Sequence, residues 1–249
     1  MTLFFRFLSI ILILSCVKSF AATQIKVGAY EFPPFYYSGP NGHQGLLVDI
    51  IKELNKFQKD FQFTIVKTTT LDRYKDFSNK KFDLMFFEDK SWGWQGIDTV
   101  SSKVFLKGGE VFVTKSGLGR TQNFFNDLKG KSIVTFQGAK TFFGKKYSDI
   151  VSKNKLYDEV ARPSLQAQIL LSNRAQVSIG DKYIFLYEAK RLKKKRHKKS
   201  KFRFHNIFPG IISHMAFKNK KICSLVNEAY EKVISSGRFD KILKKYLDK

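Results

Sequence analysis

The residues best suited to chemistry in this sequence sit at a few short turns. Gln137-Gly138 ends an apolar run at Ser132–Phe136 and leads into Ala139-Lys140-Thr141 and a helical pattern. A glycine turn ahead of a helix aims unpaired backbone N–H groups and the positive end of the dipole at an anionic group. Thr141 adds a hydroxyl to that turn. Asp181 follows the short run Val177–Gly180 and stands where a helix N-cap is expected. Trp92 and Trp94, the only two tryptophans, share the stretch Ser91-Trp92-Gly93-Trp94, which has no periodicity and follows an apolar strand. A loop at that place suits the rim of a ligand cleft. Enzyme signatures are missing by contrast. His43, His197, His205 and His214 have no metal-ligand spacing, and Cys223 lies in a helical pattern with no base beside it. No G-x-S-x-G, H-E-x-x-H or P-loop occurs. No catalytic set, metal or cofactor is expected.

The elements that hold these turns follow from apolar periodicity. Ile25–Ala29 alternates as a half-buried strand, and Phe32-Pro33-Pro34-Phe35 stops it, because two prolines fix φ and remove two donors. Leu47, Ile50, Ile51, Leu54 and Phe57 recur at three- and four-residue steps, which predicts a helix over 46–57. Strands are expected at Phe61–Val66 and Phe82–Phe87, so the start of the chain reads as a βαβ unit with a parallel sheet. The pattern restarts after about residue 112, with a strand at 132–136, helices at 141–151 and 163–171, and a strand at 177–180. A strand at 211–217 precedes helices near 219–235 and 238–247. Two α/β lobes without a low-complexity linker imply a stiff hinge, crossed near 111–116 and again near 207–213.

Composition sets the remaining bounds. With 43% hydrophobic and 15% aromatic residues the chain builds a full core. Its first 21 residues are expected to be a secretory signal peptide. Arg6 is the positive start, Leu8–Cys16 is too short to span a bilayer, and Ser19 and Ala21 suit cleavage after Ala21. Ile13-Leu14-Ser15-Cys16 faintly resembles a lipobox, with Leu14 a poor fit. Cleavage lowers the net charge from +24 to +22 and leaves Cys223 alone, so the exported fold holds by its core and not by a disulfide.

Several of these segments, taken in order, resemble the type II periplasmic solute-binding proteins of the amino-acid family, the bacterial extracellular family 3. Phe32-Pro33-Pro34-Phe35 is similar to the family's PPF turn, and Gly45-Leu46-Leu47-Val48-Asp49-Ile50 to its G-F-D-V-D-L helix start. Phe82-Asp83-Leu84 resembles its D-V/L-I strand, and Asp127-Leu128-Lys129-Gly130-Lys131 its D-L-K-G-K/R segment. Gly180-Asp181 and Ser236-Gly237-Arg238 with Ile242, Lys245 and Tyr246 complete a match from Ile25 to Tyr246. The resemblance implies two lobes, each a mainly parallel sheet flanked by helices, joined by a two-crossing hinge. Lobe I would hold 22–110 and 212–249, and lobe II 111–211. It implies a monomer in the periplasm that closes on a small polar ligand and hands it to an ABC permease. It also implies that Asp181 accepts hydrogen bonds from a ligand ammonium, that Gln137, Gly138, Lys140 and Thr141 face the ligand, and that Tyr30 and Phe32 form the wall it stacks on. Phe35 is expected in the core.

Two departures from the family bear on the ligand. Amino-acid binders carry a carboxylate-clamping arginine after the strand that ends near Phe87, whereas Glu88–Asp98 has none. Lys90 is a point charge and a poorer clamp. Glu88 and Asp89 put negative charge there instead, which with Asp181 points to a cationic or amine-bearing ligand, or to one without an α-carboxylate. The second departure is Lys190–Arg203, where ten of 14 residues are Lys or Arg. No stacking aromatics or recognition motif accompany it, so an anionic membrane surface is the expected partner and not nucleic acid. Alternatives are a stand-alone sensor for a membrane protein, or a dehydratase on the same fold with Glu88 or Asp181 as its acid.

Overall fold

The computed structural model describes residues 22–69, 71–88, 96–108, 110–115, 128–195, 202–205 and 212–247. The expected signal peptide, Asp89, both tryptophans, Asp127, residues 196–201 of the basic run and residues 206–211 of the second crossing lie outside the described residues.

In chain order the elements are β1 Thr23–Ala29, β2 Tyr37–Gly39, β3 Gly42–Gln44, α1 Leu46–Phe57, β4 Phe61–Lys67, α2 Arg73–Ser78, β5 Leu84–Glu88, β6 Val100–Lys107 and β7 Glu110–Lys115. They continue with β8 Ile133–Phe136, α3 Ala139–Phe142, α4 Gly144–Val151, β9 Tyr157–Val160, α5 Leu165–Leu171, β10 Val177–Asp181, α6 Lys182–Lys195, β11 Phe202–His205, β12 Ile212–Phe217, α7 Lys220–Ser235 and α8 Arg238–Leu247.

Two five-stranded sheets result. The first has the order β4-β1-β5-β12-β6 and the second β11-β7-β10-β8-β9. In each, four strands point one way and a single strand opposes them, namely β12 in the first and β7 in the second. The two opposing strands follow the passages between sheets. Strand β6 ends the first sheet at Lys107, and β7 opens the second at Glu110 after only two intervening residues. The first passage is thus tighter and a few residues earlier than periodicity suggests. Strand β12 brings the chain back after β11.

Helix α1 forms because Leu46, Leu47, Val48, Ile50, Ile51 and Leu54 are buried along one stripe. Each contributes about 1.5–3 kcal/mol of burial. Helix α8 lies against α1 through buried Ile242 and Tyr246. The ion pairs Arg238–Glu53 and Lys245–Asp49, both at 2.6 Å, involve exposed cations and contribute little beside that burial. Asn219 caps α7, its Oδ1 accepting from the N–H groups of Lys221 and Ile222 at 2.8 and 3.1 Å.

Helix α6 couples the two bodies. It leaves the second sheet, yet Ile184 is buried in the core of the first, with Tyr183 and Tyr187 packed beside it. The Tyr183 ring meets Phe35 edge-on at 6.2 Å, and Tyr187 lies 6.1 Å from Tyr37. No helix among the described residues is long and apolar enough to cross a membrane.

Candidate functional site

Parallel strands of both sheets lead into the turns that carry the candidate residues, the side on which open α/β sheets generally place ligands. In the first sheet β1 ends at Ala29 and delivers Tyr30. The Pro33-Pro34 turn then folds back, with Phe32 N–H donating to the Tyr36 carbonyl at 2.8 Å and Phe35 N–H to the Phe32 carbonyl at 2.8 Å. Phe35 is buried, as expected, and Tyr30 and Phe32 are half-buried. Phe32 stacks on Phe35 at 5.7 Å and lies 5.8 Å from Tyr30.

Arg73 is a candidate that sequence reasoning passed over. It opens α2, and its guanidinium lies 5.2 Å from the centre of the Tyr30 ring and 4.2 Å from that of Tyr74. It also donates to the Tyr74 hydroxyl at 2.9 Å. An arginine therefore does stand at the strand ends of this sheet, beyond β4 and not beyond β5 where the family pattern directs attention. Glu88 closes β5 opposite His214; Asp89, Trp92 and Trp94 fall outside the described residues.

In the second sheet β8 ends at Phe136. Gln137 N–H donates to the Val160 carbonyl at 3.1 Å, which ties the turn to β9. Gly138 takes φ +89°, a conformation that suits glycine. The expected single helix over 141–151 is two, α3 and α4, broken at Gly144 with φ +78°. Gln137 and Thr141 are exposed at the turn.

The turn's N–H groups already face an anion. The Glu159 carboxylate, projecting from β9, accepts from Gly138 N–H at 2.8 Å and more weakly from Lys140 N–H at 3.4 Å. Tyr157 O–H donates to it at 2.6 Å, and the Lys140 ammonium lies 5.1 Å from the Tyr157 ring centre. Partial burial pushes the Glu159 pKa up, but these hydrogen bonds and the Lys140 charge outweigh it and hold the carboxyl below its ordinary value.

Asp181 ends β10. Gly180 before it packs closely on Gln166, whose amide would lie 2.6 Å from a Cβ there and would have to shift. The Asp181 carboxylate accepts from Ile184 N–H at 2.8 Å and from Tyr183 N–H, capping α6 as its position predicts. Its second oxygen faces Gly108 of the first passage. Burial pushes its pKa up to about 6, and the two N–H groups only partly offset this. The stack from Phe32 through Phe35 to Tyr183 connects the aromatic wall with Asp181. Among the described residues no three His, Cys, Asp or Glu side chains gather as a metal site would need.

Solved structures with this fold are numerous. An ancestral cationic amino acid solute binding protein shares 19% identity at a TM-score of 0.70, over 90% of this chain and 95% of its own. A probable amino-acid ABC transporter extracellular-binding protein from Bacillus subtilis shares 20% at 0.67, over 92% and 100%. A putative binding component of an ABC transporter from Wolinella succinogenes, complexed with lysine, shares 15% at 0.67, over 92% and 97%. A search among curated proteins finds no significant match. A family model matches residues 25–249, and the chain belongs to the bacterial extracellular solute-binding proteins, family 3.

Proposed function

We propose that this solute-binding protein captures a small amine-bearing ligand between its lobes and presents it to an ABC permease. The observation that carries the reading is the position of Asp181. It is an acid at the end of a parallel strand, at the passage between the sheets and next to an aromatic stack. A ligand ammonium supplies the charge partner that this desolvated carboxyl lacks among the described residues. Phe32, stacked on Phe35, adds an aromatic surface nearby. Binding that favours the shut arrangement shifts the population toward it, and a membrane partner then reads that form. Structures of similar fold that hold lysine or histidine support the ligand class.

Thermal denaturation across amino acids, amines and small acids tests this reading. A binder raises the melting temperature by an amount set by RT ln(1 + [L]/Kd) and returns its ligand unchanged. If no amine shifts the transition at millimolar concentration, the reading fails. One observation favours a second activity: a carboxyl near pKa 6 is suited to general-acid work, and one similar fold is described as a precursor of cyclohexadienyl dehydratase. Conversion of ligand during the same incubation would establish that alternative. For the basic run we propose contact with anionic head groups of the envelope, at about 1 kcal/mol per basic residue near the surface.

A further inference from the structure

Positive charge gathers on one helical layer that the ligand reading leaves unused. Helix α8 buries Ile242 and Tyr246 in the core of the first sheet and turns Lys241 and Lys244 to solvent on its opposite side. Three residues apart, these two lysines are neighbours on the helix surface. Among the described residues neither has an ion-pair partner. Beside them, two carboxylates of α1 serve four cations. Asp49 faces Lys245 at 2.6 Å and Lys52 at 3.8 Å, while Glu53 faces Arg238 at 2.6 Å and Lys56 at 2.7 Å. The only other acid on α8 is Asp240, so cations outnumber acids across the pair of helices. The layer continues over the boundary between the two bodies. Helix α6, which leaves the second sheet, packs against α8, and Lys190 Nζ donates to the Lys245 carbonyl at 3.4 Å. Glu188, the single acid of α6, is buried and already paired with Arg191 at 2.8 Å. The helix ends in Lys193-Lys194-Lys195, so the basic run begins beside the lysines of α8.

What this surface lacks narrows what it can hold. The large apolar side chains that stand exposed among the described residues, such as Leu71 and Ile234, all lie outside α1, α6 and α8. A protein interface is centred on aromatic or apolar anchors, and single-stranded nucleic acid needs exposed rings to stack on. Long-chained cations without anchors suit a diffuse anionic plane, where each adds its own increment of attraction. We infer that α8 and the end of α6 form one phospholipid-binding surface, through which both bodies of the chain rest on an anionic membrane. The inference rests on the head-group contact proposed above for the basic run and extends it to the first body. It is independent of the amine reading.

Sedimentation of the mature protein with vesicles of phosphatidylglycerol and phosphatidylcholine in equal parts tests this, with pure phosphatidylcholine as the blank. Three double variants remove the same charge from different places. The first is Lys241→Gln with Lys244→Gln on α8, and the second Lys193→Gln with Lys194→Gln on α6. The control is Lys153→Gln with Lys155→Gln, both exposed just before β9. That strand is at the opposite edge of the second sheet from β11, on which α6 packs through Phe185 and Phe202. The α8 and α6 pairs are each expected to weaken partition by about 25-fold, roughly fivefold per lysine near the surface, and the control by less than about threefold. Loss with the α6 pair alone would overturn the inference and leave the contact of the basic run standing. Loss with the α8 pair alone would overturn the joint surface and the role of the run together. Equal losses in all three would mean attraction by net charge and no defined surface. Retention of the wild type on polyglutamate without sedimentation on vesicles would overturn the lipid assignment in favour of an acidic protein.

Discussion

Asp181→Asn is expected to remove the ligand-induced rise in melting temperature, weakening amine binding by about 100-fold, while the fold is retained. The amide oxygen still accepts from Ile184 N–H, so the start of α6 keeps its cap, with Asn and Asp about equal there. What disappears is the negative charge, and losing one partner of a desolvated charge pair typically costs 2–5 kcal/mol or about this factor. Two pH signatures accompany the change. The folded-state pKa of Asp181 is about 6, above the roughly 3.9 of an unfolded aspartate. Between those values the folded protein holds a proton that the unfolded chain has released. Its stability therefore falls as pH rises through that window and does not recover above it. Asp181→Asn lacks this fall, so in the absence of ligand its melting temperature should match or exceed the wild type's at pH 7. Amine affinity of the wild type should decline below about pH 6, where the carboxyl is neutral. An undiminished ligand shift in the variant would exclude Asp181 from the site.

Gly45→Ala is expected to destabilise the protein by about 3–5 kcal/mol, read as a lowered urea midpoint with an unchanged slope. Gly45 has φ +122°, and a Cβ there would press on the Phe35 carbonyl oxygen and lie 2.7 Å from its carbon. Those atoms are backbone and cannot swing aside. Two further bonds fix the arrangement, from Leu46 N–H to the Pro34 carbonyl and from Leu47 N–H to the Phe35 carbonyl, both 2.9 Å. The start of α1 is thus fastened to the turn that displays Phe32, and strain at Gly45 reaches the aromatic wall. Gly42→Ala is the control. It also has positive φ, at +89°, but meets nothing within 4 Å, so only the conformational cost of about 1 kcal/mol applies. Equal losses in the two variants would refute the packing argument.

Much of the architecture can be read from apolar spacing. The stripe Leu47, Ile50, Ile51, Leu54 marks α1 because one face of that helix alone enters the core. Runs such as Val177–Gly180 mark β10 because a strand covered on both faces has no charged side, and its one polar side chain, Ser178, is buried and hydrogen-bonded to Gln166. Strand β9, Tyr157-Asp158-Glu159-Val160, escapes the same reasoning. It is an edge strand of four residues with two acids, and nothing in its spacing separates it from a loop. Strands β7 and β11 are hidden likewise by flanking charge. The site follows the same division. Asp181 and Gln137–Thr141 are visible as turn chemistry local in sequence. Glu159 reaches Gly138 across 21 positions, and Arg73 reaches Tyr30 across 43, so both need the sheet order before they mean anything. Tertiary pairing across strands leaves no local signal.

Helix α6 sets the character of unfolding. Since Ile184 is inserted in the core beneath the opposite sheet, neither half can melt without exposing apolar surface of the other. Calorimetry should record one endotherm whose calorimetric and van't Hoff enthalpies agree, despite a chain that visits the first half in two separate stretches.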